Sequence, residues 1–382
     1  MKEYLNQQDM KDSNSNNVFH LLLKEKQMTR RQIEAVTQLS WGAVSNVTSR
    51  LMSAGYINEV KAKNPGAGRT PAVLELCRDG YYVIGIDINM SGFRAVLLNL
   101  HNEVIYTTTC EPCHNGKHAL LEQIISLIHE VLEYADGNRI LCIGVAMQGL
   151  VDAQNGISVQ FSSCEDWKCV PIVQLLEESL GIPVYLEHDP NCVLYAYSVS
   201  QKMTEGILVR IDDGIGMAVM MDGKIFERFG AFELGHTVVV PGGRSCECGN
   251  RGCLEVYATR KGLGILAGVS FDSLIEIAKE RGNQGARDAI SLFDQMAEYL
   301  GNSIANVAGL LNISEVVLCG DMLMYKDLFW EHFLDSVYTS SYAYPFPLSS
   351  FGVYTPLILL PFNKSLPITA CETILPSFSK YA

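Results

Sequence analysis

The sequence predicts an α/β protein of two similar lobes preceded by a small winged-helix module, and three observations support that class. Two strand, turn, strand series, opening at Tyr81 and at Ile207, are each followed by alternating helical and strand patterns, as expected of helices packed on sheets. The first 80 residues read instead as three short helices and two strands. At 382 residues the chain also exceeds what one core organises, so two or three domains are expected.

Composition narrows the function classes. No run reaches the roughly 18 apolar residues that span a bilayer, and the opening MKEYLNQQDMKDSNSNN lacks the apolar stretch of a secretory signal. A cytoplasmic protein without a membrane partner is therefore expected, and its 12 cysteines read as free thiols rather than disulfides. Cys110 and Cys113 form a C-x-x-C with no second pair nearby, which argues against a metal there. The net charge of −13 is unevenly spread: residues 1–80 carry 11 Lys or Arg against 8 Asp or Glu, and the remainder 18 against 34. Only the N-terminal segment suits a polyanion.

In chain order, residues 1–15 read as a disordered tract rich in polar residues, and Val18, Phe19, Leu21, Leu22 and Leu23 give a first buried helix over 16–26. Thr29 caps a second helix with Ile33, Val36 and Leu39 as its apolar stripe. Ser40 caps a third in which Val44, Val47 and Leu51 recur at helical spacing. This leaves Trp41, Gly42, Ala43, Ser45, Asn46, Ser49 and Arg50 off the buried stripe. Such a set suits a recognition helix in a DNA major groove, with Arg50 or Arg30 holding phosphates. A plain three-helix bundle for protein contacts fits the helices alone. The strand from Tyr56 to Lys61, the run PGAGRTP and the strand AVLELC favour the wing, where Arg69 reaches a minor groove or a phosphate.

Beyond this module, YYVIGIDINM, FRAVLLNL and VIYTTTC read as three strands, followed by an amphipathic helix from Lys117 to Ala135. ILCIGVAM is a buried strand running into QGLVD, and IPVYLEHD is another that ends at His188 and Asp189. ILVRIDDGIGMAVMMDGKIF opens the second series, and helices from Asp272 to Leu311 lead to the strand EVVLCG. Two such lobes leave a cleft, and polar residues at the strand ends facing it are the natural ligand positions.

The densest chemistry lies in ELGHTVVVPGGRSCECGNRGCLE, where His236 is followed by Cys246, Cys248 and Cys253. Three thiolates and one imidazole suit a closed tetrahedral Zn²⁺ site of structural kind, because soft sulfur and borderline nitrogen fill the four positions zinc prefers. Gly249 and Gly252 let the loop fold back. Glu233 and Glu255 flank the cluster, so a metal would pin two acceptors fit to hold a small polyol.

The His plus C-x-C-G-x-x-G-C pattern with CLE behind it, together with ELGH, EHDPN, GVAMQGLVD and the upstream winged helix, resembles the ROK family (repressors, open reading frames and kinases), in particular its xylose- and N-acetylglucosamine-type repressors. The resemblance spans nearly the whole chain. It implies an actin-like, ribonuclease H-like pair of lobes, a structural zinc and a sugar site in the cleft. By this resemblance Asp189 matches the acid that takes the sugar proton in the kinases, Asn191 follows it, and Glu233, His236 and Glu255 match the remaining sugar contacts. His188 and Ser163 stand where Asn is usual.

The phosphate-cradling turns depart from the family's kinases. The usual DxGGTK stands as Asp87, Ile88, Asn89, Met90, Ser91, Gly92, the usual GTGIG as Asp212, Asp213, Gly214, Ile215, Gly216, and the third turn as Cys319, Gly320, Asp321. Carboxylates facing a triphosphate cost on the order of several kcal/mol when partly desolvated. Catalytic residues are therefore not expected. The sequence points to a sugar-responsive regulator, most simply a repressor, binding inverted-repeat operator DNA as a homodimer or a tetramer. A sugar kinase with an appended DNA-binding module is the alternative. The expected domains are a winged helix over 16–78, a first lobe over 79–190 with 365–382, and a second lobe with the zinc site over 191–364.

Overall fold

The computed structural model describes residues 7–60, 72–89, 92–113, 115–135, 139–161, 164–226, 232–280, 283–313, 315–340 and 358–359. Two compact units divide the chain after Cys192.

The N-terminal module forms as its caps dictate. Helices α1 (Gln7–Glu25), α2 (Arg30–Thr37) and α3 (Trp41–Ser53) are joined by the short strand β1 (Gln27–Thr29). Thr29 and Gln32 close a capping box at the start of α2, and the Ser40 hydroxyl accepts from Ala43 N to start α3. Strands β2 (Ile57–Val60) and β3 (Val73–Leu76) complete an antiparallel sheet in the order β1-β3-β2. Leu22, Ile33, Val44 and Leu74 are fully buried at its centre. One expectation changes. Helix α1 begins at Gln7, so the tract over 1–15 is helical from that point instead of disordered, carried by the buried turns that follow it. Arg69 lies outside the described residues.

The first lobe carries β4 (Tyr82–Asn89), β5 (Gly92–Asn99), β6 (Val104–Cys110), β7 (Ile140–Met147) and β11 (Val184–His188) in the order β11-β7-β4-β5-β6, and β8 (Leu150–Asp152), β9 (Ile157–Gln160) and β10 (Lys168–Val170) form a small sheet of their own. Both faces of this sheet are buried, by different partners. Ile84, Ile86 and Ile88 pack with α4 (Lys117–Leu132) and α5 (Ile172–Leu180). The opposite face, through Val83, Val96, Leu98 and Cys142, joins Val18, Leu22, Val44 and Leu51 of the N-terminal helices in one core. The winged helix is thus no separate domain on a linker. Tyr56 stacks on Tyr81 with ring centroids 4.4 Å apart, and Tyr81 OH donates to Ala54 O, the C-cap of α3, at 2.9 Å. Gly80 lies so close to Gly55 O that a Cβ there would meet it at 2.5 Å.

The second unit repeats the pattern. Strands β12 (Gly206–Ile211), β13 (Ile215–Met221), β14 (Lys224–Ile225), β15 (Val316–Cys319) and β16 (Ile358–Leu359) form a sheet in the order β14-β13-β12-β15-β16. It is covered by α7 (Glu255–Ala258), α8 (Arg260–Ala267), α9 (Phe271–Lys279), α10 (Gln284–Leu311) and α11 (Trp330–Ser340), with Phe293, Met296 and Phe333 fully buried. The expected return of 365–382 to the first lobe lies outside the described residues.

A shared core has a measurable consequence. Leu22→Ala removes a fully buried side chain and is expected to destabilise the first unit by about 2–5 kcal/mol in urea unfolding. Amide exchange should quicken in β4 and β5 as well as in α1. Confinement of the effect to the helices would contradict the shared core.

Candidate functional site

Three groups of side chains carry chemistry, and the fold positions each for its own reason. In the second unit His236, Cys246, Cys248 and Cys253 bring one ligand atom each to within 4.8 Å of all the others. Gly249 has φ +89° and Gly252 φ +81°, and a Cβ on Gly252 would fall 1.8 Å from Val240 O, so only glycine lets the loop close. Cys246 N donates to Asn250 O and Gly249 N to Cys246 O, which fixes the sulfur positions.

The spacing fits a metal. A tetrahedral centre with metal–sulfur bonds of ~2.3 Å and a metal–nitrogen bond of ~2.1 Å separates two sulfurs by about 3.8 Å, and sulfur from nitrogen by about 3.6 Å. Cys248 Sγ and Cys253 Sγ lie 3.7 Å apart, and Cys246 Sγ lies 3.6 Å from His236 Nδ1. Burial pushes the Cys253 thiol up to about 12, so it ionises only where a cation compensates. The other ring nitrogen, His236 Nε2, is 3.8 Å from Glu233 Oε2. Burial raises the Glu233 pKa, opposed by His236 and assisted by Glu255. Glu255, at the start of α7, accepts from Ile215 N at 3.2 Å, and Gly235 has no side chain to obstruct that carboxylate. The metal loop is thereby tied to the turn over 212–216.

That turn is closed by its own side chains. Asp212 Oδ1 accepts from Asp321 N at 2.6 Å, Arg210 Nε donates to Asp212 Oδ2 at 2.5 Å, and Arg260 Nη1 lies 3.8 Å from Asp321 Oδ2. Arg210 and Asp212 are both buried. A Cβ on Gly320 would meet Ile211 O at 2.3 Å, so the ends of β12 and β15 run in contact. The Asp321 amide, which could cradle an anion, is already spent on a carboxylate. Desolvation, then Asp212, raises the Asp321 pKa.

In the first unit, Asp189 and His188 are buried where β11 passes into α6 (Asp189–Gln201), with His188 Nε2 3.5 Å from Asp189 Oδ1. Asn191 Nδ2 donates to Glu187 Oε1 at 2.9 Å, and His188 N donates to the same oxygen at 2.8 Å. Sequence reasoning missed Glu187. It also missed the row in which Arg94, Asp87, Ala146 and Glu187 stand opposite one another across β5, β4, β7 and β11. Strand pairing makes this row visible; residue spacing does not. Ser163 lies outside the described residues.

On α3, the proposed recognition helix of the sequence reading, Trp41, Gly42, Asn46, Ser49 and Arg50 are exposed, while Ala43 and Ser45 are half-buried. Arg30 does not join them. Its Nη1 pairs with Glu59 at 2.5 Å and its Nε donates to Thr48 Oγ1 at 3.1 Å, so it braces α2 against α3 and β2. The exposed arginine of that turn is Arg31.

The ROK family profile matches residues 83–347. The xylose repressor of Caldicellulosiruptor bescii is 26% identical over 360 residues, which covers 88% of this chain and 90% of that protein. Among solved structures, a ROK family transcriptional regulator described as a homologue of the Escherichia coli Mlc protein superposes with a TM-score of 0.79 at 21% identity, covering 97% of each chain. The ROK hexokinase of Thermus thermophilus gives a TM-score of 0.63 at 22% identity, covering 78% of this chain and 98% of that one.

The four ligand atoms are expected to hold one metal ion per chain, measured by elemental analysis of the purified protein. Cys253→Ala should bring the content below about a tenth of an equivalent, since each lost second-sphere or ligand group costs tenfold or more in affinity. Full occupancy in that variant would exclude Cys253 as a ligand.

Proposed function

The chain belongs to the ROK family, and on that premise we propose a sugar-responsive transcriptional repressor that binds operator DNA through its N-terminal module. The observation that carries the reading is α3: a helix whose polar and small residues face outward from a module sharing one core with the first lobe. That surface suits major-groove contact. Two such modules in a homodimer would meet two half-sites about one helical turn apart, hence an inverted repeat. The names of the relatives, among them a xylose repressor, the DNA-binding transcriptional repressor Mlc and the DNA-binding transcriptional dual regulator NagC of Escherichia coli, support the same reading.

The effector is proposed to be a monosaccharide or a derivative of one. Asp189, Asn191, Glu233, His236 and Glu255, with His188 and Ser163, are the groups proposed to take its hydroxyls. The metal is proposed to be zinc with a structural part to play: all four positions belong to protein side chains, which leaves no open site for a water. It would fix His236 so that Nε2 faces Glu233 and the ligand. A cytoplasmic location goes with this function, and among the described residues no helix is long and apolar enough to cross a membrane.

The alternative is an ATP-dependent sugar kinase with an added DNA-binding module. The hexokinase fold similarity favours it. Against it stand Asp212, Arg210 and Asp321, which satisfy one another where a nucleotide phosphate would need free donors. Without a phosphoryl donor Asp189 acts as a hydrogen-bond acceptor and not as a general base.

In a mobility-shift assay at low salt, promoter fragments near the protein's own gene are expected to bind, and one sugar of a thermal-shift panel should raise the melting temperature. No binding to any such fragment would overturn the repressor reading. ADP release with any hexose or amino sugar would restore the kinase. Cys246→Ala and Cys248→Ala should lose the sugar response in a reporter assay before they lose DNA binding; simultaneous loss of both would contradict the proposed part of the metal.

A further inference from the structure

The two arginines that open α2 part company. Arg30 turns inward to Thr48 and Glu59, while Arg31, next around the helix, stays exposed with its guanidinium 5.9 Å from the centroid of the Trp41 ring. Trp41 is the first residue of α3 and is itself 51% exposed. A tryptophan left half in water keeps apolar ring surface exposed that a partner covering the ring would bury. Beside it Gly42 has open space where a Cβ would stand, so no contact among the described residues calls for a glycine in that helical turn. There it is less favourable than alanine. The sequence of α3 contains no carboxylate, and Arg50 is exposed toward its other end.

We propose that Arg31 and Trp41 form a composite DNA contact: the Trp41 ring covers the 5-methyl group of a thymine at the edge of the half-site, and Arg31 holds that ring while reaching the adjoining phosphate. The proposal rests on the reading of the N-terminal module as a DNA-binding domain and adds to it a residue pair and a base. An apolar side chain in the major groove discriminates thymine through its methyl group, the one apolar feature that a base pair shows there. A guanidinium within cation–π range of a ring has lost part of its freedom before DNA arrives, and its planar donors stay available to a phosphate oxygen. Arg31 is thus both a phosphate contact and the positioning residue for Trp41.

The test uses the full chain and a duplex selected by the wild-type protein from a random pool, with binding followed by fluorescence anisotropy over a range of salt. Arg31→Ala is expected to lower the slope of log affinity against log salt by about one per chain, the loss of one phosphate contact. Trp41→Ala should keep that slope, bind about tenfold more weakly, and lose the penalty that the wild type shows when one thymine of each half-site is replaced by uracil. Arg31→Lys should keep the slope and bind more weakly, because the charge survives and the stacking does not. Since both side chains are exposed, the melting temperatures should stay at the wild-type value. Wild-type affinity and slope in Arg31→Ala, or an undiminished uracil penalty in Trp41→Ala, would overturn the pair while leaving the DNA-binding reading in place. Failure of the wild type to select any duplex would overturn that reading and the pair with it.

Discussion

The alternation of side chains along β4 decides how this protein is put together. Ile84, Ile86 and Ile88 enter the core under α4 and α5, whereas Val83, on the other face, belongs to the core of the N-terminal helices. One sheet therefore supplies half of two cores. The face that holds the winged helix at Val83 carries Asp87 further along and meets Glu187 two strands away. Cys192, three residues after Asp189, lies fully buried in the same core as Leu22 and Val44. Close-packed interiors transmit a displacement because they have no slack to absorb it. A shift at the start of α6 would accordingly be felt at α3 through contact, with Tyr81 and Tyr56 bolting the end of that helix to β4.

The second unit applies a similar economy to charge. Its metal loop places His236 Nδ1 among three sulfurs and leaves Nε2 facing Glu233, while Glu255 holds the turn over 212–216. Asp212, which stands for the first glycine of that turn, is held by Arg210 and the Asp321 amide, and the Asp321 carboxylate lies beside Arg260. Breaking such a buried pair on one side leaves an uncompensated charge and is costly. The turn is thereby stable as a closed structure.

What the sequence made legible was local. Thr29 and Ser40 announce their helices because a cap bonds within three residues, and the four candidate metal ligands stand out because they fall within 18 positions interspersed with glycines. The missed features join residues distant in the chain. Arg30 and Glu59 are 29 residues apart, and Asp212 and Asp321 are 109 apart. The burial of β4 on both sides was readable from its apolar run, but the run does not say which helices cover which face. This is why the winged helix read as a domain of its own and proved to share the sheet of the first lobe.

The central claim is that sugar and DNA act on one coupled structure, and coupling between two ligands is reciprocal. Isothermal titration of the sugar that stabilises the free protein, into the protein alone and into its complex with operator DNA, tests this directly. The account predicts that DNA changes the sugar affinity by the same factor by which the sugar changes the DNA affinity. Equal sugar affinities with and without DNA would contradict it.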